Sequence, residues 1–295
     1  MDFSAIGKKI RELRKNINMS QEELSQGICT QAQISKIEKG DVFPYASTLY
    51  LISQKLGVDV NHFFDIGMTP RLDYVLEVRR QLTIARRNLD YYGMKQIVEA
   101  ELQNPLFSQN KKNLQLLFWH KGIYQYELGN DVDQAIETLE YAIHLTNTTK
   151  KMWSERELEI LLSIGAIYFE EDYFEKALEV YQNLKKHLYA IPHIMDNTIK
   201  TRLLYNIARV YSRLNQLNES NDACKEAIHW CIEKDNMYLL GELHYHMGYN
   251  YELQSNPIQA EEYMNKALTV FELQGDDKYI QFITKKISQL RKIKK

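Results

Sequence analysis

Apolar residues recur every three or four positions along most of the 295-residue chain, a spacing typical of amphipathic helices. Up to about residue 66 the helical stretches are short and polar. From Pro70 onward they become long and rich in Leu and Tyr, and no strand-like alternation of apolar and polar residues is found there. The sequence therefore predicts an all-α protein built from two different parts.

Two helix-start signals lie close together in the first part. In SQEE, Ser20 can cap a helix and Glu23 stands three positions later, which is the arrangement of a capping box; TQAQ repeats the signal at Thr30 and Gln33. Two consecutive signals this close predict a helix-turn-helix. An amphipathic helix with a basic outer face precedes the motif, and two further helices follow it, so five helices are expected.

The second helix of this motif, TQAQISKIEKG, has only two aliphatic side chains. At about 100° per residue, Ile34 and Ile37 fall on one side of the helix, while Ala32 and Lys36 fall on the other. In helix-turn-helix proteins such a helix enters the major groove, where Gln can pair with adenine and Lys with guanine. The sequence therefore predicts a DNA groove as the partner of the polar side.

Residues 4–66 resemble the Cro/C1 (XRE-type) helix-turn-helix family throughout, including the SQEEL, QISKIEKG and LGV segments. The resemblance implies a five-helix, lambda-repressor-like DNA-binding domain, with a usual phosphate contact at Lys39. Ala32 departs from the longer polar residue that some members carry at its position. With the outward-facing neighbours included, the predicted DNA-binding residues are Gln21, Gln31, Ala32, Gln33, Ser35, Lys36 and Lys39.

The second part contains an internal repeat. A small residue recurs in a similar sequence context at Gly122, Gly165, Ala208 and Gly248, at intervals of 43, 43 and 40 residues. Aromatic and small residues follow it at the spacings of a tetratricopeptide (TPR) helix pair, although the common TPR period is only about 34 residues. Such pairs cannot bury their apolar faces alone, so the sequence predicts a right-handed α-solenoid with a concave groove.

The two patterns together predict the domain organisation. A DNA-binding domain is followed by a short linker, an array of about five helix pairs of which the first is degenerate, and a final helix that covers the end of the array. The predicted ranges are 1–66 for the helix-turn-helix domain, 67–80 for the linker region and the start of the array, 71–276 for the TPR-like repeats and 277–295 for the capping helix.

Counting from the small residue of each first helix predicts which side chains line the groove. Aromatic residues beside arginines suit an extended peptide with apolar side chains and a carboxylate, because a guanidinium can hold a carboxylate with two hydrogen bonds. Asn206 and Asn250 could hold a peptide backbone through their amides. The predicted peptide-binding residues are Arg79, Arg86, Trp119, Tyr126, Leu162, Ala166, Phe169, Arg202, Tyr205, Asn206, Arg209, Arg213, Tyr245, Tyr249 and Asn250.

Composition and the absence of certain motifs further limit the classes of function to consider. The net charge is −2, but five basic residues lie between Lys8 and Lys15, on the first helix, where phosphate contacts would be useful. The sequence contains no P-loop, no HExxH motif and no paired CxxC, so catalysis, a metal and a cofactor are not expected. No apolar run approaches the ~20 residues needed to span a bilayer, and three cysteines suggest no disulfide framework, so a cytoplasmic protein is expected.

A helix-turn-helix followed directly by a TPR array resembles the RNPP family of Gram-positive quorum-sensing regulators, in particular its PlcR branch. The resemblance implies a homodimeric transcription factor that binds two half-sites of double-stranded DNA and whose TPR groove binds a short signalling peptide. Ala166 stands where peptide-binding TPR proteins often have asparagine. Two alternatives stay open: the groove binds a partner protein, or oxidation of Cys224 or Cys231 controls the protein.

Overall fold

The computed structural model describes residues 1–147 and 152–293. Residues 148–151 and 294–295, which fall within the predicted repeats and the predicted capping helix, lie outside the described residues. Every regular element among the described residues is a helix, which confirms the all-α prediction for them. The helices are α1 Phe3–Asn16, α2 Gln21–Ser25, α3 Gln31–Lys39, α4 Ala46–Leu56, α5 Val60–Met68, α6 Leu72–Arg87, α7 Tyr91–Leu102, α8 Pro105–Ser108, α9 Lys111–Gly129, α10 Val132–His144, α11 Glu155–Glu170, α12 Phe174–Ala190, α13 Thr198–Arg213, α14 Leu217–Glu233, α15 Leu240–Leu253, α16 Pro257–Gln274 and α17 Asp277–Ile293.

The chain divides into two compact units, Met1–Asn113 and Leu114–Lys295. The first unit extends beyond the predicted DNA-binding domain, because it also contains α6 to α8. The pair α6 and α7 corresponds to the degenerate first pair of the array that the sequence predicts. The second unit holds the four clearer pairs and α17.

Helices α1 to α5 share one apolar core. Ser20 and Glu23 form the predicted capping box at the start of α2, whereas Thr30 caps α3 through a single bond, in which its hydroxyl accepts from Gln33 N at 3.2 Å. Helix α2 is short, so Ile28 lies in the turn, where it is half-buried and still packs against the core. The buried residues of this core are Ile6, Ile10, Leu24, Ile34, Ile37, Leu49, Ile52, Leu56 and Phe63.

In three of the four helix pairs of the second unit, the paired helices approach closely where a glycine of the first helix meets a larger side chain of the second. A Cβ atom added at Gly165 on α11 would lie 2.3 Å from the Tyr181 ring on α12, and Tyr181 is itself only 1% exposed. A Cβ at Gly248 on α15 would similarly lie 2.8 Å from Met264 on α16. The glycines among the small residues that define the repeat in the sequence are therefore points of close approach between paired helices.

The first helices of successive pairs are bonded directly to one another. Trp119 Nε1 on α9 donates to Ser163 Oγ on α11 at 2.9 Å. Arg209 on α13 forms an ion pair at 3.2 Å with Glu170 at the end of α11, and Lys286 Nζ on α17 donates to Glu252 on α15 at 3.2 Å. Ser212 Oγ on α13 donates to Asn250 Oδ1 on α15 at 2.6 Å, so helices α9, α11, α13, α15 and α17 form one continuous side of the second unit.

The turn inside each pair has the same backbone conformation. Within the described residues, one residue of each turn has a positive φ between 50° and 60°, at intervals of 41, 42, 43 and 40 residues. In four of these five turns the first helix ends by a bond of the Schellman type, as where Gln216 N donates to Tyr211 O at 2.8 Å, whereas in the turn after α9 Asn130 N donates to Tyr126 O at 2.8 Å. Asn and Asp tolerate this conformation better than Leu does. The five residues are Leu89, Asn130, Asp172, Asn215 and Ser255.

Replacing Leu89 with glycine is expected to stabilise the protein. Leu89 has φ 56° and is 68% exposed, so the change relieves backbone strain and removes little packing. The left-handed conformation costs a non-glycine residue about 1–2 kcal/mol, whereas glycine loses about 0.5–1 kcal/mol more backbone entropy on folding. We expect the free energy of unfolding to rise by about 0.5–1 kcal/mol in denaturant titrations of the full chain.

Asn215→Gly is the matched control, because it makes the same change in an equivalent turn at a residue that tolerates a positive φ. Its effect should be smaller than that of Leu89→Gly. A Leu89→Gly protein that is less stable than the parent would show that Leu89 contributes contacts that outweigh its strain.

Candidate functional site

The two sides of α3 differ as the sequence predicts. Ile34 and Ile37 are 0% and 1% exposed and belong to the core. We name the opposite side the DNA-reading face; within it four side chains are exposed, while Gln33 and Ser35 are half-buried. Gln21, at the start of α2, is also half-buried. The DNA-reading face consists of Gln31, Ala32, Gln33, Ser35, Lys36 and Lys39.

A buried ion pair lies directly behind this face. Arg14 Nε and Nη2 on α1 donate to the two carboxylate oxygens of Glu38 on α3 at 2.6 and 2.9 Å. Arg14 Nη1 donates to Met19 O at 2.6 Å, so the guanidinium also holds the turn before α2. Gln21 Nε2 donates to Glu38 Oε2 at 2.8 Å, and Gln31 Nε2 donates to Gln21 Oε1 at 3.2 Å. The first residues of α2 and α3 are thereby connected to the pair.

The pair keeps the Glu38 carboxyl ionised. Burial would by itself raise its pKa, but the hydrogen bonds from Arg14 and Gln21 outweigh burial and lower the pKa below its usual value. The prediction that Arg14 belongs to the basic outer face of the first helix, where it could contact phosphate, is wrong, because Arg14 is only 8% exposed and is paired with Glu38, a residue for which the sequence predicted no role. The signal was present, because Arg14 follows Ile6 and Ile10 at helical spacing, and Glu38 adjoins Ile37 on the inward side of α3.

The predicted peptide-binding residues of the second unit differ in their accessibility. Trp119, Leu162, Phe169 and Asn250 are buried. The half-buried residues are Tyr126, Ala166, Arg202, Tyr205, Asn206, Arg209, Tyr245 and Tyr249, and Arg213 is exposed. Arg79 and Arg86 lie on α6 in the first unit, where Arg79 is exposed and Arg86 is half-buried.

Three arginines of α13 form a row, which we name the arginine row: Arg202, Arg209 and Arg213. The sequence predicts these arginines as partners for a ligand carboxylate, but the structure pairs each with an acidic side chain of α11 or of the turn after it. The pairs and their N–O distances are Arg202–Glu159 at 3.0 Å, Arg209–Glu170 at 3.2 Å and Arg213–Asp172 at 2.9 Å. A carboxylate ligand would have to exchange with these acids.

Aromatic rings lie under two of these three guanidinium groups. The guanidinium carbon of Arg209 is 4.1 Å from the centre of the Phe169 ring, and that of Arg213 is 4.7 Å from the Phe174 ring. Arg202 Nε is buried and has no hydrogen-bond partner among the described residues. Buried N–H groups are normally satisfied, so this site retains a donor for an additional acceptor.

Asn250 has a different place from the one that the sequence suggested. It is 0% exposed, and its amide nitrogen donates to Ser220 Oγ at 2.8 Å and to Asn221 Oδ1 at 2.9 Å, while its oxygen accepts from Ser212 Oγ at 2.6 Å. Its amide therefore joins α13, α14 and α15 in the core and is not turned toward a ligand. Nearby, burial lowers the pKa of His246 to about 4, so this network is neutral at physiological pH.

The environments of the cysteines work against the thiol-oxidation alternative. Burial raises the pKa of Cys224 and Cys231, and also that of Cys29, which disfavours the reactive thiolate.

No three His, Cys, Asp or Glu side chains are grouped to hold a metal ion in residues 1–147 and 152–293. Within the same ranges no helix combines the length and the apolar character that crossing a membrane requires.

Two family models match the chain: the RNPP family C-terminal domain over residues 79–291 and a helix-turn-helix domain over residues 10–63. Comparison with curated proteins gave no match.

Solved structures match over nearly the whole chain. Bacillus thuringiensis PlcR in complex with the peptide PapR7 and DNA is 23% identical, with a TM-score of 0.84 over 95% of this chain and 99% of that chain. The apo form of the same protein is 21% identical, with a TM-score of 0.68 over 96% and 98%. ComR from S. thermophilus in complex with DNA and its signalling peptide ComS is 19% identical, with a TM-score of 0.65 over 97% and 99%. These similarities confirm the predicted fold.

The helix-turn-helix of α2 and α3, the stacked helix pairs and the match of the C-terminal model to most of the chain lead to one assignment. The family predicted from the sequence is confirmed: the chain belongs to the RNPP family.

Proposed function

We propose that the chain is a sequence-specific DNA-binding transcriptional regulator of the quorum-sensing type, controlled by a short signalling peptide that binds the second unit. It is a regulator and not an enzyme, and it acts in the cytoplasm, where its DNA is. The observation that carries the proposal is the DNA-reading face of α3, which stays polar and accessible while Ile34 and Ile37 are buried beneath it. Relatives with the same fold have been solved with DNA and a peptide bound.

The DNA-reading face has the groups that base recognition requires. Gln31 has an amide that can pair with adenine N6 and N7, and Lys36 has an ammonium group that can reach guanine O6 and N7. Lys39, at the end of α3, is exposed and suited to a phosphate. Gln21, at the first turn of α2, lies close enough to Gln31 to share a hydrogen bond. In this proposal the seven predicted residues form one contact surface.

The proposal includes a homodimer that binds two half-sites. Two copies of α3 can enter successive major grooves when they are one helical turn of DNA apart, about 34–36 Å, or a multiple of it. A peptide that favours one separation of the two copies by about 1–3 kcal/mol would change operator affinity severalfold to a hundredfold. That coupling is sufficient for a switch.

The side formed by the first helices of the second unit supports peptide binding. It presents half-buried tyrosines, including Tyr205 and Tyr245, which can pack against apolar side chains of a peptide. The arginine row lies on the same helices and supplies cationic donors, among them the unpartnered Nε of Arg202. We propose that a carboxylate of the peptide displaces the acidic partners of the arginine row.

Removing the charge of Lys39 is expected to weaken DNA binding for every sequence and to change its salt dependence. A lysine that contacts a phosphate releases a counterion, so Lys39→Gln should reduce the slope of log K against log salt concentration by about one. The measurement is fluorescence anisotropy of the full chain with a duplex enriched from a random pool. Lys95→Gln, on α7, removes the same charge outside α1 to α5 and should leave the slope unchanged. Equal slopes for the two variants would contradict a phosphate contact at Lys39.

Replacing the whole arginine row with glutamine is expected to abolish selection for free peptide carboxylates. The probe is a library of short synthetic peptides with free C-termini, compared with the same peptides as C-terminal amides, on the immobilised full chain. The parent should retain free-acid members, and the variant Arg202→Gln, Arg209→Gln, Arg213→Gln should bind them roughly tenfold or more weakly, since each charge-assisted bond is worth about 1.5–3 kcal/mol.

The matched control removes the internal competitors and keeps the arginines. The variant Glu159→Gln, Glu170→Gln, Asp172→Asn should bind free-acid peptides at least as tightly as the parent does, because Arg209 and Arg213 have lost their acidic partners and Arg202 has lost Glu159, although it retains its 3.4 Å pair with Asp196. Undiminished affinity in the arginine variant would reject the role of the arginine row. A parent chain that retains a stoichiometric protein partner from cell extract, and no peptide, would instead support the scaffold alternative.

A further inference from the structure

A continuous set of hydrogen bonds joins the buried ion pair to the exposed amide of Gln31. Arg14 donates to Glu38, Gln21 Nε2 donates to Glu38 Oε2, and Gln31 Nε2 donates to Gln21 Oε1. Every bond in the set points toward Glu38. Glu38 is 4% exposed, whereas Gln31 is on the surface of the DNA-reading face, so the set carries a constraint from the core to the contact surface.

The direction of these bonds follows from the chemistry of the carboxylate. An ionised carboxylate only accepts hydrogen bonds, whereas an amide has one side that donates and one that accepts. Gln21 must therefore turn its NH₂ group toward Glu38 and its oxygen toward Gln31. Gln31 in turn can only donate to that oxygen. Glu38 thus determines which way round both amides lie.

The remaining groups of Gln31 match one purine better than the other. One N–H of the Gln31 amide donates to Gln21. The second N–H, on the same nitrogen, therefore lies on the side of the amide nearer Gln21, and the amide oxygen lies on the opposite side. Adenine presents N7 as an acceptor and N6 as a donor, so it can accept from the N–H and donate to the oxygen. Guanine presents acceptors at both N7 and O6, so its O6 would face the Gln31 oxygen and repel it.

We propose that Glu38 is a positioning residue for DNA recognition: its buried carboxylate fixes the orientation of the Gln31 amide through Gln21, and thereby makes the protein select adenine over guanine at the base that Gln31 contacts. The inference rests on the proposed DNA binding and specifies how one of its contacts is oriented. It assigns a role in base selection to a residue that does not itself reach DNA.

The test is selection of binding sequences from a pool of random duplexes by the full chain, at low salt. Gln31→Ala identifies the contacted position as the one where the adenine preference of the parent is lost. Gln21→Ala interrupts the set of bonds and leaves the Arg14–Glu38 pair in place. At the identified position it should lower the ratio of adenine to guanine by about tenfold, the order of discrimination that one bidentate pair provides. The other positions should keep their preferences.

Glu38→Gln tests the origin of the constraint. It puts an amide donor among the three donors Arg14 Nε, Arg14 Nη2 and Gln21 Nε2, so the orientation of Gln21 is no longer imposed. The same ratio should fall, and the double variant Gln21→Ala, Glu38→Gln should lose no more than either single variant, because both act through one path. Glu12→Gln, in an exposed pair with Lys9, removes the same charge and should leave the ratio unchanged.

The outcomes separate this inference from the proposed function. If the parent enriches no sequence, DNA recognition is contradicted and the inference with it. If the parent enriches sequences, but Gln31→Ala changes no position or Gln21→Ala keeps the parental ratio, the orienting role of Glu38 is overturned and DNA binding stands. Should Glu38→Gln fail to fold in thermal denaturation, Gln21→Ala decides alone, because it retains the buried pair.

Discussion

Both candidate sites depend on charged side chains held in ion pairs, and the two sites differ in how far those charges are removed from water. In the first unit the pair of Arg14 and Glu38 is almost fully buried, and removing one member of such a pair costs about 3–5 kcal/mol. The side chains that are hydrogen-bonded to that pair are consequently held in fixed positions. Arg209 and Arg213 lie nearer the surface, where an ion pair is worth about 0–1 kcal/mol, so an incoming carboxylate can take over such an arginine at little cost. The strong buried pair is thus suited to positioning neighbouring side chains, and the weaker surface pairs are suited to exchanging their acidic partner for a ligand carboxylate.

Local sequence signals predicted much of the fold, because the interactions behind them are local. The capping box at Ser20, the burial of Ile34 and the close approach at Gly165 all follow from residues within one helix or one helix pair. The partners in the sites are not local. Glu38 lies 24 residues from Arg14, and Glu170 lies 39 residues from Arg209. Periodicity predicts which side of a helix a residue occupies, but it does not predict which side chain of another helix forms an ion pair with it.

Asn250 shows the same limit in a polar but uncharged group. Its register on α15 suggested a side chain turned to a ligand, and its position one residue after Tyr249 made that interpretation reasonable. Its amide is instead satisfied by Ser212, Ser220 and Asn221, which belong to the preceding helix pair. A buried amide with all its bonds made is stabilising where it is, and turning it outward would leave several core groups unpaired. The role of Asn250 therefore depends on which side chains the preceding helix pair presents to it.

The turns inside the helix pairs also determine where the chain can vary in length. The turns within the pairs of α11, α13 and α15 all have three residues, whereas the connections from α12 to α13 and from α14 to α15 have seven and six. An insertion in a turn would break the carbonyl bonds that end the first helix, but one in a longer connection would not. The excess of the repeat over the usual TPR period is therefore absorbed partly between pairs. Those connections are accordingly the rational places to insert an affinity tag or a fluorophore, or to open the chain for circular permutation.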